Sequence, residues 1–453
     1  MTKNIIIGAG VTGLSVAWHL KKAGHEVTVL EKSPVPGGSV KTIHDGQCLV
    51  EAGPNTLMLN DQRVMDLLRE IGLEDQIVET SPVAKKRFLA KDGVAHPAPS
   101  SPLALLKTPL LSSAGKWRLL QEPLIPKRAS AEEKEETLAD FVRRRLGPEA
   151  YEQFFQPLVS GIYAGDPEKL SLGGTFPFLK QLEEEQGSLF MGMLKRKKSK
   201  HAIKRQLISF QRGLGQMIEA FASEVGEDLH CGAEIEEIIP DGDQGWKVAW
   251  TSEKGNESRS EVGKLILTVP AHTVARLPLP VDLLSQVRGL AEIPHPALVS
   301  VSCLCPCDAI SHPLDGFGML IPSTETQPVL GTLFISSLFP QRCPPDQVLL
   351  TSFIGGRTQP ERAGRDDETL QGFVRAVLQD YLGLSGEPVK WWINRWPQSI
   401  PQPEQDHSRI LEQIDQVESE WDHLHFIGNY RQGVSLPQCL LSGYELAEAL
   451  NHA

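Results

Sequence analysis

The stretch Asn4-Ile5-Ile6-Ile7-Gly8-Ala9-Gly10-Val11-Thr12-Gly13 decides the fold of this chain. Its three consecutive isoleucines predict a strand buried on both faces, and the composition from Leu14 to Ala23 predicts a helix. The GxGxxG spacing between them is typical of a tight turn that brings a helix amino end close to a phosphate group. The stretch therefore predicts the opening unit of an α/β domain that binds a dinucleotide.

A second buried strand, Val27 to Leu30, ends at Glu31. A carboxylate at this position can accept hydrogen bonds from both ribose hydroxyls, and it would repel a 2′-phosphate. The motif opens the chain, and Gly37-Gly38 offers a second close backbone approach after Glu31, so we expect FAD rather than NAD. We find no second fingerprint of the kind an NAD(P)H-dependent flavoenzyme carries. A glycine-rich turn without a nucleotide is the weaker interpretation.

Composition and charge exclude several classes of protein. A chain of 453 residues is too long for one ordinary core and predicts two or three domains. With 45 Lys and Arg against 57 Asp and Glu, the net charge of −12 argues against a partner with a nucleic acid backbone. The longest uncharged stretch, residues 4–20, is too short to cross a membrane, and we expect neither a spanning helix nor a signal peptide. Seven cysteines without an export signal predict reduced thiols and a cytoplasmic location.

Four further segments carry a family pattern: PLVSGIYAGDPEKLS at 157–171, FQRGL at 210–214, WPQSIPQ at 396–402, and IGNYRQGVSLPQC at 427–439 followed by Ser442-Gly443. Together with the opening motif, they resemble the oxygen-dependent protoporphyrinogen oxidase family. That family includes coproporphyrinogen III oxidases and lies within the amine oxidase-like FAD superfamily. The resemblance covers the whole chain in order, and the segment at 157–171 is its most specific part.

The resemblance implies FAD held without a covalent bond, because Ser435 and Leu436 occupy the neighbourhood in which amine oxidases attach it to a cysteine. The cofactor contacts that it implies are Gly8, Ala9, Gly10, Val11, Thr12, Gly13, Glu31, Lys32, Gly38, Ser39, Gly53, Pro54, Asn55, Thr56, Ile235, Asn429, Val434, Ser435 and Leu436.

The resemblance also implies a porphyrinogen substrate whose propionate meets Arg87, with Phe88 and Gly161 beside it. A guanidinium suits this task because it binds a carboxylate through two parallel hydrogen bonds. From the residues alone, the alternative is a surface arginine that lies over apolar neighbours.

The implied reaction is the six-electron oxidation of protoporphyrinogen IX to protoporphyrin IX in haem biosynthesis, with molecular oxygen as acceptor and hydrogen peroxide as product. No catalytic side chain is expected, since flavin N5 accepts the hydride. One alternative is coproporphyrinogen III as substrate, and another is an amine oxidase or desaturase-type enzyme. A third is a scaffold protein with structural FAD. The resemblance further suggests a homodimer.

We expect a mixed α/β fold of three parts. A discontinuous Rossmann-like FAD-binding domain comprises residues 1–81, 208–290 and 400–453, a mixed-sheet substrate domain comprises 82–91 and 291–399, and a helical domain comprises 92–207. Within the helical domain, the leucine- and proline-rich segment from Ser101 to Pro126 predicts either an apolar surface in contact with a membrane or a small helical core. A charged helix is expected from Ala131 to Gly147, and the basic run Lys195–Arg205 favours a solvated loop or helix end over an anion site.

Cys303, Cys305 and Cys307 alternate along a predicted strand. The spacing favours a packed thiol face over a metal site, which usually needs CxxC-type spacing and a fourth ligand. The scattered histidines match no metal-binding pattern, and no metal is expected.

Overall fold

The computed structural model describes residues 3–128, 135–195, 200–252 and 258–452. In chain order the strands are β1 (Asn4–Ile7), β2 (Val27–Glu31), β3 (Thr42–Asp45), β4 (Cys48–Glu51), β5 (Leu57–Asp61), β6 (Ile77–Glu79), β7 (Phe88–Lys91), β8 (Val94–Pro97), β9 (Ala202–Phe210), β10 (Leu229–Cys231), β11 (Ala233–Pro240), β12 (Trp246–Ser252), β13 (Ser258–Leu267), β14 (Leu298–Pro306), β15 (Gly318–Leu320), β16 (Val329–Phe334), β17 (Gln347–Gly355), β18 (Lys390–Trp396) and β19 (Leu424–Phe426).

The α-helices are α1 (Val11–Lys22), α2 (Gln62–Glu70), α3 (Pro102–Lys107), α4 (Ser113–Leu120), α5 (Leu138–Leu146), α6 (Pro148–Ala150), α7 (Gln156–Tyr163), α8 (Leu172–Thr175), α9 (Pro177–Gln186), α10 (Leu189–Lys195), α11 (Gly215–Val225), α12 (Ala271–Val274), α13 (Val281–Val287), α14 (Ile335–Leu338), α15 (Asp367–Leu382), α16 (His407–Glu420) and α17 (Leu436–His452). A π-helical turn, Tyr151–Phe155, joins α6 to α7. None of these helices combines the length and the apolar character needed to cross a bilayer.

The first sheet has the order β10-β2-β1-β13-β12-β11, and β19 pairs with the end of β13. Strand β1 lies parallel to both β2 and β13, with Ile5 opposite Thr28 and Leu265. Ile6 faces a core shared with α1 and α17, while Ile5 and Ile7 face a second core on the other side. Burial on both faces explains the unbroken isoleucine run, as the sequence predicts.

The second sheet has the order β18-β14-β17-β16-β15-β7-β8. Its last two strands come from residues 88–97, far from the rest in sequence, and Phe88 pairs in parallel with Met319. Helix α15 buries one side against this sheet. With these sheets and the helical segment around α3 to α10, the expected mixed α/β fold class is confirmed; the domain boundaries stay a prediction.

The helical segment encloses a buried ion pair between Arg145 and Glu122. Glu122 also accepts hydrogen bonds from the Ser188 hydroxyl at 2.6 Å and the Leu189 backbone N–H at 2.8 Å. These partners supply the hydrogen bonds that a carboxylate needs when it is removed from water. Lys195 ends α10, and residues 196–199 of the predicted basic run lie outside the described residues.

Two expected element boundaries are wrong. Residues 202–205 belong to strand β9, not to a loop or helix end, because β9 pairs with β5 and β6 in a separate sheet. Helix α5 begins at Leu138, where the Thr137 hydroxyl caps the Asp140 N–H, and not near Ala131, a residue outside the described part.

Candidate functional site

The glycine-rich turn joins β1 to α1 at the centre of the first sheet. A Cβ on Gly13 would lie 2.0 Å from the Gly8 carbonyl oxygen, so only glycine allows this approach of helix to strand. Gly10 differs, because a Cβ there would meet nothing within 4 Å. No side chain caps the amino end of α1, so its backbone N–H groups face open space beside Gly10. This arrangement suits a pyrophosphate.

Glu31 ends β2 beside this turn. One carboxylate oxygen accepts a hydrogen bond from the Ala9 N–H at 2.8 Å, and the other accepts one from the Ser33 N–H at 2.8 Å. An ionised carboxylate has about four acceptor positions. The two acceptor positions that remain can bind ribose hydroxyls, so the backbone contacts orient Glu31 and still leave it able to bind a ribose.

Strand β10, with β11 directly after it, lies beside Glu31 in the first sheet, although the two strands are some two hundred residues from Glu31 in sequence. The Gly232 N–H donates to the Ser33 carbonyl at 3.0 Å, and Cys231 lies opposite Glu31 in the parallel register. Burial and the charge of Glu31 raise the pKa of the Cys231 thiol. Ile235, predicted to contact the cofactor, follows four residues after Cys231, the strand partner of Glu31. The Lys32 side chain, in contrast, is exposed.

A second glycine turn faces the first. The Gly37 N–H donates to the Ala9 carbonyl at 2.8 Å, and a Cβ on Gly38 would lie 3.5 Å from the Gly10 Cα. The structure thus places Gly38 and Ser39 against the GxGxxG turn, as the expectation of a second close backbone approach requires.

The loop from Gly53 to Thr56 is fixed from two sides. A Cβ on Gly53 would lie 2.0 Å from the Ser39 carbonyl oxygen, so the loop passes directly over the second glycine turn. On its other side, the Ala52 carbonyl accepts hydrogen bonds from Trp396 Nε1 and Ser300 Oγ, both at 3.0 Å. The Asn55 amide, at 3.1 Å, donates back to the Gly53 carbonyl. Pro54 and Asn55 are therefore held between the two sheets.

The last helix closes the site. The Ser15 hydroxyl donates to the Leu440 carbonyl at 2.8 Å, which holds α17 against α1. A hydrogen bond joins Thr12 to Cys439, whose pKa burial raises to about 11. The amino ends of α1 and α17 therefore meet, and Val434, Ser435 and Leu436 lie at this junction. Asn429 follows β19 on the same side of the first sheet.

These features fit FAD. Two helix amino ends, an open position at Gly10 and an oriented acid at Glu31 offer the donors and acceptors that a flavin dinucleotide requires. The structure brings together the predicted residues of the two glycine turns, Glu31, the Gly53 loop and the start of α17. Their individual contacts with the cofactor stay a prediction.

Arg87 lies just before β7. Its guanidinium lies over the ring of Phe317, 5.2 Å from the ring centroid. The residue is largely exposed, yet burial of the guanidinium and then the charge of Arg205 lower its pKa. Within the described residues, no carboxylate pairs with it. Phe88, in contrast, is buried, with its ring 4.8 Å from that of His312, which suits packing better than contact with a substrate.

Gly161 lies on α7, within the segment PLVSGIYAGDPEKLS at residues 157–171. A Cβ there would lie 2.6 Å from Leu320 of β15, so α7 packs closely on an interior strand of the second sheet. Beyond α7, the Ala164 carbonyl accepts from the Arg357 N–H at 2.7 Å, and the Tyr163 carbonyl accepts from the Gln402 amide at 2.8 Å. The segment therefore fixes the helical part to the sheet that carries Arg87.

Sequence reasoning missed a buried charge cluster behind the Gly53 loop. Arg342 is 1% exposed and contacts Glu51 at 2.9 Å and the Ser209 hydroxyl. Glu51 also accepts from the Leu214 N–H at 2.9 Å and the Thr42 hydroxyl at 2.7 Å. No sequence pattern marks Arg342, because its two partners, Glu51 and Ser209, come from distant segments.

Cys303 and Cys305 lie on one buried face of β14, with their sulfur atoms 4.0 Å apart. All seven cysteines are free thiols. Across the described residues, no three His, Cys, Asp or Glu side chains are grouped as a metal site would require. His272 and His295 touch edge to face at 4.5 Å, and burial lowers the pKa of both, that of His272 to about 4.

Comparison with known proteins agrees with this geometry. Residues 11–451 match the family described as flavin containing amine oxidoreductase. The chain is 31% identical to protoporphyrinogen oxidase 1 from chloroplasts of Arabidopsis thaliana, over 100% of this chain and 88% of that protein. It is 29% identical to coproporphyrinogen III oxidase of Staphylococcus aureus, over 99% of both chains.

A solved structure shows the same fold. A crystal structure from Exiguobacterium sp. 255-15, provisionally called protoporphyrinogen oxidase, superposes with a TM-score of 0.82 at 23% identity, over 100% of this chain and 99% of that one. Together with the family match, this makes FAD the cofactor and the chain a flavoprotein oxidoreductase. The chain belongs to the family of flavin containing amine oxidoreductases.

Proposed function

We propose that this chain oxidises protoporphyrinogen IX to protoporphyrin IX in haem biosynthesis, with molecular oxygen as acceptor. The observation that carries the proposal is full-length similarity to protoporphyrinogen oxidases, 31% identity in the Arabidopsis enzyme. The Arg87 guanidinium, which pairs with no carboxylate of the described residues, supports it, because a porphyrinogen carries carboxylates at one edge of a large apolar ring. Three two-electron steps remove six electrons in all, and each reduces one oxygen molecule to hydrogen peroxide.

Bound FAD supplies the acceptor for hydride in each step. The chain's own residues have to orient the two partners and exclude water. In this proposal Glu31 binds the ribose, the amino ends of α1 and α17 bind phosphate and flavin oxygens, and Arg87 binds a propionate. The bridging carbon of a porphyrinogen lies between two electron-rich pyrroles, so the substrate is activated without a strong protein base.

The second candidate is coproporphyrinogen III, which has four propionates where protoporphyrinogen IX has two. The 29% identity to the Staphylococcus aureus coproporphyrinogen III oxidase favours it. Both substrates undergo the same chemistry at the same bridging carbons. The two candidates differ at two ring substituents, which are apolar vinyl groups in protoporphyrinogen IX and propionates in coproporphyrinogen III.

Anaerobic mixing of the purified holoenzyme with each porphyrinogen tests both candidates. We expect protoporphyrinogen IX to bleach the flavin absorbance near 450 nm, an ordinary band of oxidised flavin. Admission of oxygen should restore the band and yield one peroxide for each two-electron step. Bleaching by coproporphyrinogen III alone would move the assignment to the second candidate. If neither bleaches the flavin, an amine or desaturase-type substrate replaces both, and a colourless protein that takes up no FAD overturns the proposal.

We further propose a cytoplasmic protein that contacts the membrane surface through its helical part. Large apolar side chains are exposed on α3, α4, α10 and the adjoining 3-10 turn Glu122–Leu124, and we call them the apolar surface: Leu103, Leu106, Trp117, Leu120, Leu124, Met193 and Leu194. Leu124 and Leu194 are 81% and 82% exposed. Lys107, Lys116 and Lys195 lie on the same helices and suit anionic lipid headgroups.

A further inference from the structure

Arg205 lies in an irregular part of β9. Two steps along β5, from Leu59 to Asp61, correspond to four steps along β9, from Gln206 to Ala202, so the strand carries a bulge that contains Arg205. A bulge redirects side chains and occurs often beside active sites. The regular part of β9 follows at once: Ile208 pairs with Leu57, and both are fully buried in the core of the first sheet.

Arg205 lies two residues from the place where β9 is held against the segment that leads to Arg87. The Thr80 N–H donates to the Leu207 carbonyl at 3.0 Å, which fixes β9 against the chain just before the 3-10 turn Pro82–Lys85. Arg87 follows that turn directly. The charge of Arg205 accordingly acts on the Arg87 guanidinium.

Two like charges lie within electrostatic reach of each other here. Within the described residues, neither Arg87 nor Arg205 forms an ion pair, whereas Arg63, Arg143 and Arg357 each pair with a carboxylate. The chain as a whole has a net charge of −12, so acidic side chains are abundant. A pair of exposed guanidiniums left uncompensated in such a protein is a local site for an anionic ligand.

We propose that Arg205 is a second carboxylate-binding residue of the substrate site, and that Arg205 and Arg87 bind the two neighbouring propionates of the porphyrinogen. This inference rests on the proposed function and extends it. Both candidate substrates carry two propionates on adjacent pyrroles, at one edge of the ring. A dianionic edge between the two guanidiniums would cancel their mutual repulsion, so each arginine should strengthen the effect of the other.

The test compares Arg205→Leu with Lys204→Leu in the holoenzyme. Both variants remove one positive charge from adjacent exposed positions of β9, and of these two charges it is that of Arg205 that lowers the pKa of Arg87. We expect Arg205→Leu to raise KM for the porphyrinogen about tenfold, the size of one charge-assisted hydrogen bond, with kcat changed less than about twofold. Lys204→Leu should leave both constants within about twofold. Arg205→Lys should recover part of the affinity, since it restores the charge but not the two-pronged geometry.

A second readout uses binding without turnover. The dissociation constant of the oxidised porphyrin, followed by its Soret band, should rise in Arg205→Leu and stay unchanged in Lys204→Leu. With the propionates esterified, the difference between wild type and Arg205→Leu should vanish. Equal KM and equal porphyrin binding in wild type and Arg205→Leu would refute the inference while leaving the proposed function intact. A wild-type enzyme that oxidises no porphyrinogen would refute both the inference and the proposed function.

Discussion

Gly10 and Gly13 lie three residues apart in one turn, and they meet different surroundings. Gly13 touches the protein itself, since a Cβ would lie 2.0 Å from the Gly8 carbonyl oxygen. Gly10 borders open space in which the cofactor is expected. The glycine spacing of the sequence predicts both positions, but only the structure separates a packing role from a role in ligand access.

Substitution of each glycine by alanine should therefore give different defects. Gly13→Ala should destabilise the apoprotein by about 1–3 kcal/mol, the usual cost of overpacking, and also lose FAD. Gly10→Ala should leave the apoprotein within about 0.5 kcal/mol of wild type, because its backbone is extended, yet weaken FAD binding. Thermal unfolding of the apoprotein and FAD titration measure the two effects. Gly372→Ala on α15, where a Cβ meets nothing, is the control that keeps both properties.

Arg87→Leu should raise KM for a porphyrinogen by about 10- to 100-fold, since a charged hydrogen bond contributes about 1.5–3 kcal/mol. The rate at saturating substrate should change little, because in the proposed site the arginine binds a propionate remote from the reacting carbon. Arg87→Lys should lie between wild type and Arg87→Leu. Steady-state kinetics measure this, and an unchanged KM in Arg87→Leu would mean that Arg87 is only a surface arginine lying over Phe317.

Some residues could be predicted from the sequence and others could not, for a physical reason. Glu31 is predictable because a local unit, strand-turn-helix-strand, fixes its place. The role of Arg342 depends on partners that lie in distant segments of the chain. Arg205 ends the basic run Lys195–Arg205, but that local pattern does not reveal the distant segment on which its proposed role depends. The substrate contact that family resemblance implies for Arg87 stays a prediction.

At the scale of elements, the contact between α1 and α17 holds the first sheet's nucleotide side together. His19 lies in this contact, with its ring 4.7 Å from that of Trp18 and 5.1 Å from that of Tyr444. Its Nε2 is buried without a hydrogen-bond partner. Burial, aided by Lys22 and opposed by Glu70, lowers the pKa of His19 to about 4. The folded protein therefore keeps this imidazole neutral.

Acid should weaken this contact over a defined range. The unfolded chain binds a proton at His19 below about pH 6.5, while the folded chain resists it until about pH 4, so stability falls as pH drops through this window. With allowance for screening by solvent, the loss is of the order of 1–2 kcal/mol. Urea unfolding from pH 7 to 4 should show a shallower pH dependence in His19→Phe than in wild type. His44→Gln, at an exposed position, should behave like wild type; identical slopes in wild type and His19→Phe would contradict the account.

Strand β9 and helix α16 differ in how far the sequence alone indicates them. Strand β9 has a basic, mixed sequence at its start, and it becomes a strand because β5 and β6 satisfy its backbone on both sides. Helix α16, in contrast, carries apolar residues at helical spacing, Ile410, Ile414 and Val417, a local pattern that indicates a helix without tertiary information.

At the scale of the whole molecule, the apolar surface lies on the helical part, whose own core is separate from the cores of the two large sheets. Substitutions in the apolar surface should therefore abolish membrane contact without disturbing the fold. Wild type should co-sediment with phosphatidylglycerol vesicles, and the double variant Leu124→Glu, Leu194→Glu should remain in the supernatant. Val281→Glu is the matched control, since Val281 is also 81% exposed but lies on α13, outside the apolar surface.

Two results would count against this contact. Wild type that stays in the supernatant with vesicles would show that the exposed leucines do not meet lipid. Equal sedimentation of the double variant and wild type would place the contact elsewhere. The sequence predicts a leucine- and proline-rich segment from Ser101 to Pro126 but leaves a membrane surface and a helical core as alternatives. Side-chain exposure decides between them, and it depends on how the helices pack.

The buried Arg342 sets a limit on how relatives of this protein can exchange parts. Its backbone belongs to the segment that builds the second sheet, but its charge is neutralised by Glu51 of β4 and held by Ser209 of β9, which lie in the two smaller sheets. A chimera that imports residues 291–399 from a relative lacking this arginine would strand a desolvated carboxylate, at a cost of about 3–5 kcal/mol. Any recombination at these boundaries therefore has to carry both halves of this ion pair.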